Sequence, residues 1–193
     1  MIRVAVIDDH PALRAGLQTV LDSEPHIVFV GGSDGAGEQV WPMLNLVRPD
    51  VVLLDYHLPR GDGLQFCYRI KQDVPAPRVI IFTAYASPNL ALPATLARAD
   101  GILAKGAGAR DLFSAIRLVY AGEQVLPPIS ANVLEEASAA LPGDDRALVG
   151  MLLDGASEAE VAQTLRMPPR DVRHSVQRIL SALRLDVPAA RAE

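Results

Sequence analysis

Five short apolar runs, near residues 2–7, 27–31, 51–55, 78–83 and 101–105, alternate with stretches of helical period near 11–22, 36–47, 62–72, 88–98 and 109–121. The run VVLLD at 51–55 shows no polar alternation, as expected of a strand covered on both faces. Repeated strand–helix units of this kind close their hydrophobic faces only as a parallel sheet with helices on both sides and right-handed crossovers. Residues 1–121 are therefore expected to form an α/β domain with a five-stranded, doubly wound parallel sheet.

The residues that end these runs are polar, and in a parallel sheet they all emerge at one edge. Asp8 and Asp9 end the first run, Asp55 the third, Thr83 the fourth and Lys105 the fifth. Open α/β sheets bind ligands at this carboxyl edge. Three carboxylates suit Mg²⁺, which favours oxygen ligands and offsets charge on a transferring phosphoryl group. Thr83 offers a hydroxyl to phosphoryl oxygens, and Lys105 a fixed positive charge. The set matches the needs of metal-assisted transfer of a phosphoryl group onto Asp55. Gly61 and Gly63, in LPRGDGL, are expected to permit a tight, partly left-handed loop after the Asp55 strand.

Bulk properties narrow the options. The chain has 193 residues, half of them hydrophobic, enough for a standard domain and a small one. Its net charge of −5 disfavours strong non-specific attraction to nucleic acid or to an anionic membrane. Apolar runs fall short of a membrane span, and acids come too early for a signal peptide. A single cysteine, Cys67, fits a reducing cytoplasm.

After residue 121 the pattern changes. GEQVLPP is a breaker region, SANVLEEASAAL at 130–141 a connecting helix, and the last fifty residues are helical throughout. The expected organisation is a sheet domain at 1–121, a linker with a short helix at 122–143, and a small all-α domain at 144–193. Ser157 and Glu160 have the spacing of a capping box. Gly155 ends the helix before it, and Pro169 suits the first turn of the last helix. On that helix Val172, Val176, Ile179, Leu180 and Leu183 form an apolar stripe. Arg170, Arg173, His174, Gln177, Arg178 and Ser181 lie off it. Helix, short turn, helix with a basic outer face is an arrangement that enters a DNA major groove. The domain nonetheless holds seven arginines against eight acids, so its attraction to DNA as a monomer is weak.

VAVIDDHPALRAGL, VVLLDYHLPRGDGL, IIFTA and ILAKGA together resemble the signature segments of a response-regulator receiver domain, flavodoxin-like in fold. DDHPALRAGL is similar to the NarL/FixJ subfamily in particular. The C-terminal segment resembles the helix-turn-helix of LuxR-type regulators. The resemblance implies a non-enzymatic, cytoplasmic regulator phosphorylated on Asp55 by a sensor histidine kinase, able to assist its own phosphorylation and dephosphorylation. It implies Mg²⁺ bound directly by Asp9 and Asp55, through water by Asp8, and by the backbone carbonyl of His57. It implies a homodimer when active and promoter DNA as partner, with Arg173, His174 and Gln177 toward bases and Arg170 and Arg178 toward phosphates.

Departures from the family pattern are also legible. Ile102 stands where an aromatic ring usually turns inward as the threonine moves, and Pro93 falls inside the expected fourth helix. Arg166 replaces the usual glycine of the turn, Pro168 the usual capping serine, and little chain remains beyond Pro188 for a closing helix. An alternative is a receiver whose degenerate helical domain contacts protein or serves as a phosphate sink. Phosphatases of the haloacid-dehalogenase class also use a strand-end aspartate, but place a second acid two residues on, where this chain has His57.

Overall fold

The computed structural model describes residues 1–36, 39–59 and 61–183. The main strands are β1 (Ile2–Ile7), β2 (Ile27–Ser33), β3 (Val51–Asp55), β6 (Arg78–Thr83) and β7 (Gly101–Ala104), with a two-stranded ribbon of β4 (His57–Leu58) and β5 (Gly61–Asp62) after β3. The five main strands are parallel in the order β2-β1-β3-β6-β7. Consecutive connections run to opposite sides of β1, so the crevice between the ends of β1 and β3 is the switch point of the sheet.

Helices α1 (Pro11–Asp22) and α5 (Ala109–Tyr120) cover one face, burying Leu17, Leu21, Leu112 and Ile116 against Val4, Val6, Leu53 and Ile80. Helices α2 (Val40–Val47), α3 (Gly63–Ile70) and α4 (Ala91–Leu96) cover the other, against Ala5, Ile7, Val52, Leu54 and Ile81. Every residue of β3 is buried, as its unbroken apolar run requires.

The expected fourth helix is divided. A 3₁₀ turn at Pro88–Leu90 leads into α4, where Pro93 occupies the first turn and removes no helical hydrogen bond. The proline thus shortens the helix by fixing where it begins. The loop after β3 differs from expectation: among the described residues the positive-φ glycines are Gly35, Gly122 and Gly155, not Gly61 or Gly63. Gly63 is needed for another reason. A Cβ there would lie 2.2 Å from the Asp55 carbonyl oxygen and 2.8 Å from Tyr56 Cα. Its N–H donates to the Tyr56 carbonyl at 2.9 Å, drawing α3 against the end of β3.

Beyond α5, Val125 pairs with Gly101 and exchanges bonds with the β7 edge: Ile102 N–H donates to the Val125 carbonyl at 2.9 Å, and Val125 N–H to the Asp100 carbonyl at 2.8 Å. Helices α6 (Ala131–Ala140), α7 (Gly143–Leu153), α8 (Glu158–Thr164) and α9 (Pro169–Ala182) follow. Ser157 and Glu160 form the capping box. Arg166 takes the left-handed conformation at φ 53°, as the usual glycine of that turn would. Pro168 caps α9 without a side-chain bond. Residues 184–193, where a closing helix would fall, lie outside the described residues.

The helical domain does not stand apart. Val149, Val161, Val172, Val176 and Ile179 belong to the same apolar cluster as the α3–α4 side of the sheet. Helix α4 joins the two parts, with Ala91, Leu92, Pro93, Ala94 and Leu96 buried and with α7 and α9 packed on it. Among the described residues no helix is long and apolar enough to cross a membrane.

Candidate functional site

The strand ends bring the expected residues together at the switch point. Asp8 follows β1, is 1 % exposed, and is fixed there by its N–H, which donates to the Ser33 carbonyl at 3.0 Å. Asp55 ends β3 and is 3 % exposed. Lys105, just past β7, places Nζ 2.7 Å from Asp8 Oδ2 and 2.8 Å from Asp55 Oδ2. Its backbone N–H donates to the Thr83 carbonyl at 2.7 Å, which locks the end of β7 to the end of β6. Thr83 is fully buried and lies one residue beyond Phe82, the partner of Asp55 in the sheet. Its Oγ1 accepts from Tyr85 N–H at 3.1 Å.

The electrostatics follow from burial. Desolvation raises the Asp55 pKa, and the Asp8 charge adds to this; the Lys105 ammonium and the His57 N–H oppose the rise without cancelling it. Burial alone would lower the Lys105 pKa, but its bonds to Asp55 and Asp8 outweigh that and raise it. The ammonium is therefore held charged between two carboxylates that repel each other. A dianionic phosphoryl group on Asp55 would draw on the same cation.

The pocket also fits a hard divalent cation. Ligand atoms of Asp8, Asp9, His10 and Asp55 all lie within 4.8 Å of one another. Asp8 Oδ2 and Asp9 Oδ1 are buried and each meets one nitrogen, Lys105 Nζ at 2.7 Å and His10 Nδ1 at 2.6 Å, which leaves each oxygen a further lone pair. Carboxylate oxygens with spare lone pairs are what Mg²⁺ requires. His57 lies in the β4–β5 ribbon, paired with Asp62, directly beside the cluster.

Sequence reasoning passed over His10. Its N–H donates to Asp8 Oδ1 at 2.8 Å, and its Nδ1 lies 3.1 Å from Asp8 Oδ1 and 2.6 Å from Asp9 Oδ1. Adjacency in the run Asp8-Asp9-His10 was the available signal.

The candidate DNA-reading residues are gathered on α9 but are not equally free. Arg173, His174 and Gln177 are exposed. Arg170 is exposed and lies 3.5 Å from Asp171. Arg178 donates to Oδ1 of the buried Asp145 at 2.7 Å. Asp144, Asp145 and Asp171 line a cavity with His174 and Arg178, which places acids beside the basic face.

One side of α9 and the start of α8 dock on the sheet domain. Gln65 Nε2 donates to the Gln177 carbonyl at 2.6 Å and lies 3.0 Å from Ser181 Oγ. The Tyr68 hydroxyl donates to Glu158 Oε1 at 2.9 Å, Gln72 Nε2 to the same oxygen at 3.2 Å, and Arg98 approaches it at 4.0 Å. Burial, then the neighbouring Glu158 carboxylate, raise the Tyr68 pKa, so the phenol remains a donor. No sequence signal marks these pairs, which join residues far apart in the chain.

Comparison with known proteins agrees with this architecture. Residues 4–117 match the response regulator receiver domain family. The chain is 29 % identical to the DNA-binding transcriptional activator DevR/DosR of Mycobacterium tuberculosis, over 96 % of this chain and 90 % of that protein. It is 30 % identical to the response regulator UvrY of Escherichia coli strain K12, over 96 % and 89 %. Among solved structures it is similar to the response regulator ChrA of a heme-sensing two-component system, with 31 % identity, a TM-score of 0.53, and coverage of 93 % of this chain and 89 % of that one. With a receiver sheet, an acidic pocket at its switch point and a C-terminal helical domain, the chain belongs to the NarL/FixJ, LuxR-type response regulators.

Proposed function

We propose that Asp55 accepts a phosphoryl group from a sensor histidine kinase in the cytoplasm, and that the state of Asp55 controls access of α9 to promoter DNA. The observation that carries this reading is the Lys105 ammonium held between Asp8 and Asp55, with Thr83 on the neighbouring strand end. An Asp55 oxygen forms the new P–O bond as the P–N bond of a phosphohistidine breaks, and the imidazole leaves neutral, its ring protonated from solvent. Lys105 then meets a phosphoryl oxygen, and Thr83 turns its hydroxyl from Tyr85 N–H toward another. Asp9 and Asp55, with Asp8 through water and the His57 carbonyl, would hold Mg²⁺, which offsets charge on the phosphoryl oxygens. The same pocket would support slow loss of the group to water and acceptance from small phosphodonors.

The output follows from docking. Ile102 is buried and has no ring to turn, so the route from Thr83 runs through Tyr85 and the 3₁₀ turn into α4, on which α7 and α9 pack. Movement of that segment frees α8 and α9 from α3, and phosphate acts by favouring the released form. Arg173, His174 and Gln177 would face bases and Arg170 and Arg178 phosphates, in a homodimer that places two recognition helices on adjacent half-sites. The test is phosphorylation of wild type and Asp55→Asn with acetyl phosphate, followed by DNA binding with and without beryllofluoride. Phosphorylation independent of Asp55, or no DNA binding in either state at low salt, would overturn it.

A second reading has its own observation. Arg178 is engaged by Asp145, and acids line the basic face, so the helical domain would meet protein rather than DNA. Capture of a second regulator by the beryllofluoride form, without any DNA shift, would favour it.

A further inference from the structure

At the amino edge of the sheet, across from the acidic pocket, lies a groove of about 700 Å³. It runs between the C-terminal ends of α2 and α3, the loop before β6 and the end of α5, and the buried Leu44 and Ile70 line it. Its rim is apolar and uncovered. Val74 is 96 % exposed and Tyr120 50 %, and Leu46, 83 % exposed, lies on the last turn of α2 between the lining residues Asn45 and Arg48. Scattered apolar residues on a surface are ordinary, but a group around a concave surface marks a contact site.

Four charged residues line the groove, and two of them are already engaged. Asp50 accepts the Arg3 N–H at 2.8 Å, and Arg78 pairs with Asp100 at 2.9 Å. Arg48 and Asp73 have no side-chain partner among the described residues. Arg48 holds the left-handed conformation at φ 40°, which is costly for a residue with a Cβ, and its half-buried guanidinium recovers nothing within the chain.

We propose that a second copy of the chain docks on this groove, through a twofold contact in which Arg48 of each protomer meets Asp73 of the other. The proposal rests on the homodimer of the functional reading and adds its face and its timing. A twofold interface must satisfy each residue with another from the same patch, and one unpaired cation, one unpaired anion and an apolar rim form such a self-complementary set. A partner carrying charge of one sign would leave Arg48 or Asp73 unmatched. The α4 face is occupied, since α7 and α9 pack on it. Gln72, next to Asp73, holds Glu158 at the start of α8 at 3.2 Å, so the helical domain borders the patch and a twofold axis there draws two such domains together. The contact lies at the opposite end of the strands from Asp55, and it forms whether or not Asp55 carries a phosphoryl group.

The experiment is analytical ultracentrifugation of the full chain with and without beryllofluoride and Mg²⁺, and dimers are expected in both conditions. Val74→Glu should raise the dissociation constant at least about tenfold by burying an unpaired charge, with the fold unchanged by circular dichroism. Arg48→Asp and Asp73→Arg should each weaken the dimer, because like charges then face each other. An equimolar mixture of these two variants should regain wild-type association, since the mixed dimer pairs opposite charges at both positions. Dimers insensitive to Val74→Glu, or a mixture no stronger than either variant alone, overturn this face and leave the homodimer standing. Dimers seen only with beryllofluoride overturn the constitutive contact. Monomers in both conditions overturn the face and the homodimer together, but not phosphate acceptance by Asp55, which acetyl phosphate tests separately.

Discussion

Tyr68→Phe should loosen the docked domains by a predictable amount. Tyr68 is 2 % exposed, and its ring packs in the apolar cluster that phenylalanine would preserve. The substitution removes only the hydroxyl that donates to Glu158 Oε1 at 2.9 Å. A hydrogen bond to a charged group contributes about 1.5–3 kcal/mol. Glu158 retains Gln72 at 3.2 Å, so the lower end applies. Arg98, 4.0 Å away and more than half exposed, adds little. About 1.5 kcal/mol multiplies the ratio of released to docked forms by roughly ten. If DNA requires the released form, apparent affinity of the unphosphorylated protein rises by about the same factor. The beryllofluoride form, already released, should change little. Fluorescence anisotropy at fixed salt, on DNA selected with the beryllofluoride form, measures both states. Amide exchange across α3 and α4 provides a second readout that needs no DNA, with protection falling about tenfold. Unchanged exchange in α3 and α4, or an equal gain of DNA affinity in both states, would refute the idea that this contact holds the domains closed.

Other consequences concern local structure. Gly63→Ala puts a Cβ 2.2 Å from the Asp55 carbonyl, with backbone on both sides. It should cost about 3 kcal/mol or more and lower the melting temperature of the receiver by chemical or thermal denaturation. Arg166→Gly relieves a left-handed residue at φ 53° and should stabilise the helical domain by about 0.5–1 kcal/mol, read as a higher denaturation midpoint. Arg178→Ala leaves the buried Asp145 carboxylate without its guanidinium and should destabilise the domain by about 2 kcal/mol. Arg178→Lys, which keeps the charge, should recover part of that loss. DNA affinity of Arg178→Ala therefore has to be measured beside its stability.

Residue type at the strand ends determined most of the candidate site. A parallel sheet sends every strand end to one edge, so Asp8, Asp9, Asp55, Thr83 and Lys105 were bound to meet once the five runs were recognised. Local signals also placed the capping box at Ser157 and Glu160, the helix stop at Gly155 and the start of α9 at Pro169. Periodicity says which face of a helix is buried but not what buries it. The apolar α4 could have covered a neighbour of any origin, and only the folded chain shows α7 and α9 upon it. The same limit hid the pairing of Arg178 with Asp145 and of Tyr68 with Glu158, since a polar side chain carries no mark of a partner distant in sequence. Gly63 was legible as a constrained position, but its cause was close approach to Asp55 rather than a left-handed turn, and backbone proximity exists only in three dimensions. His10 belongs to the same class: its neighbours are adjacent in the chain, yet the direction of its ring was set by the turn from β1 into α1.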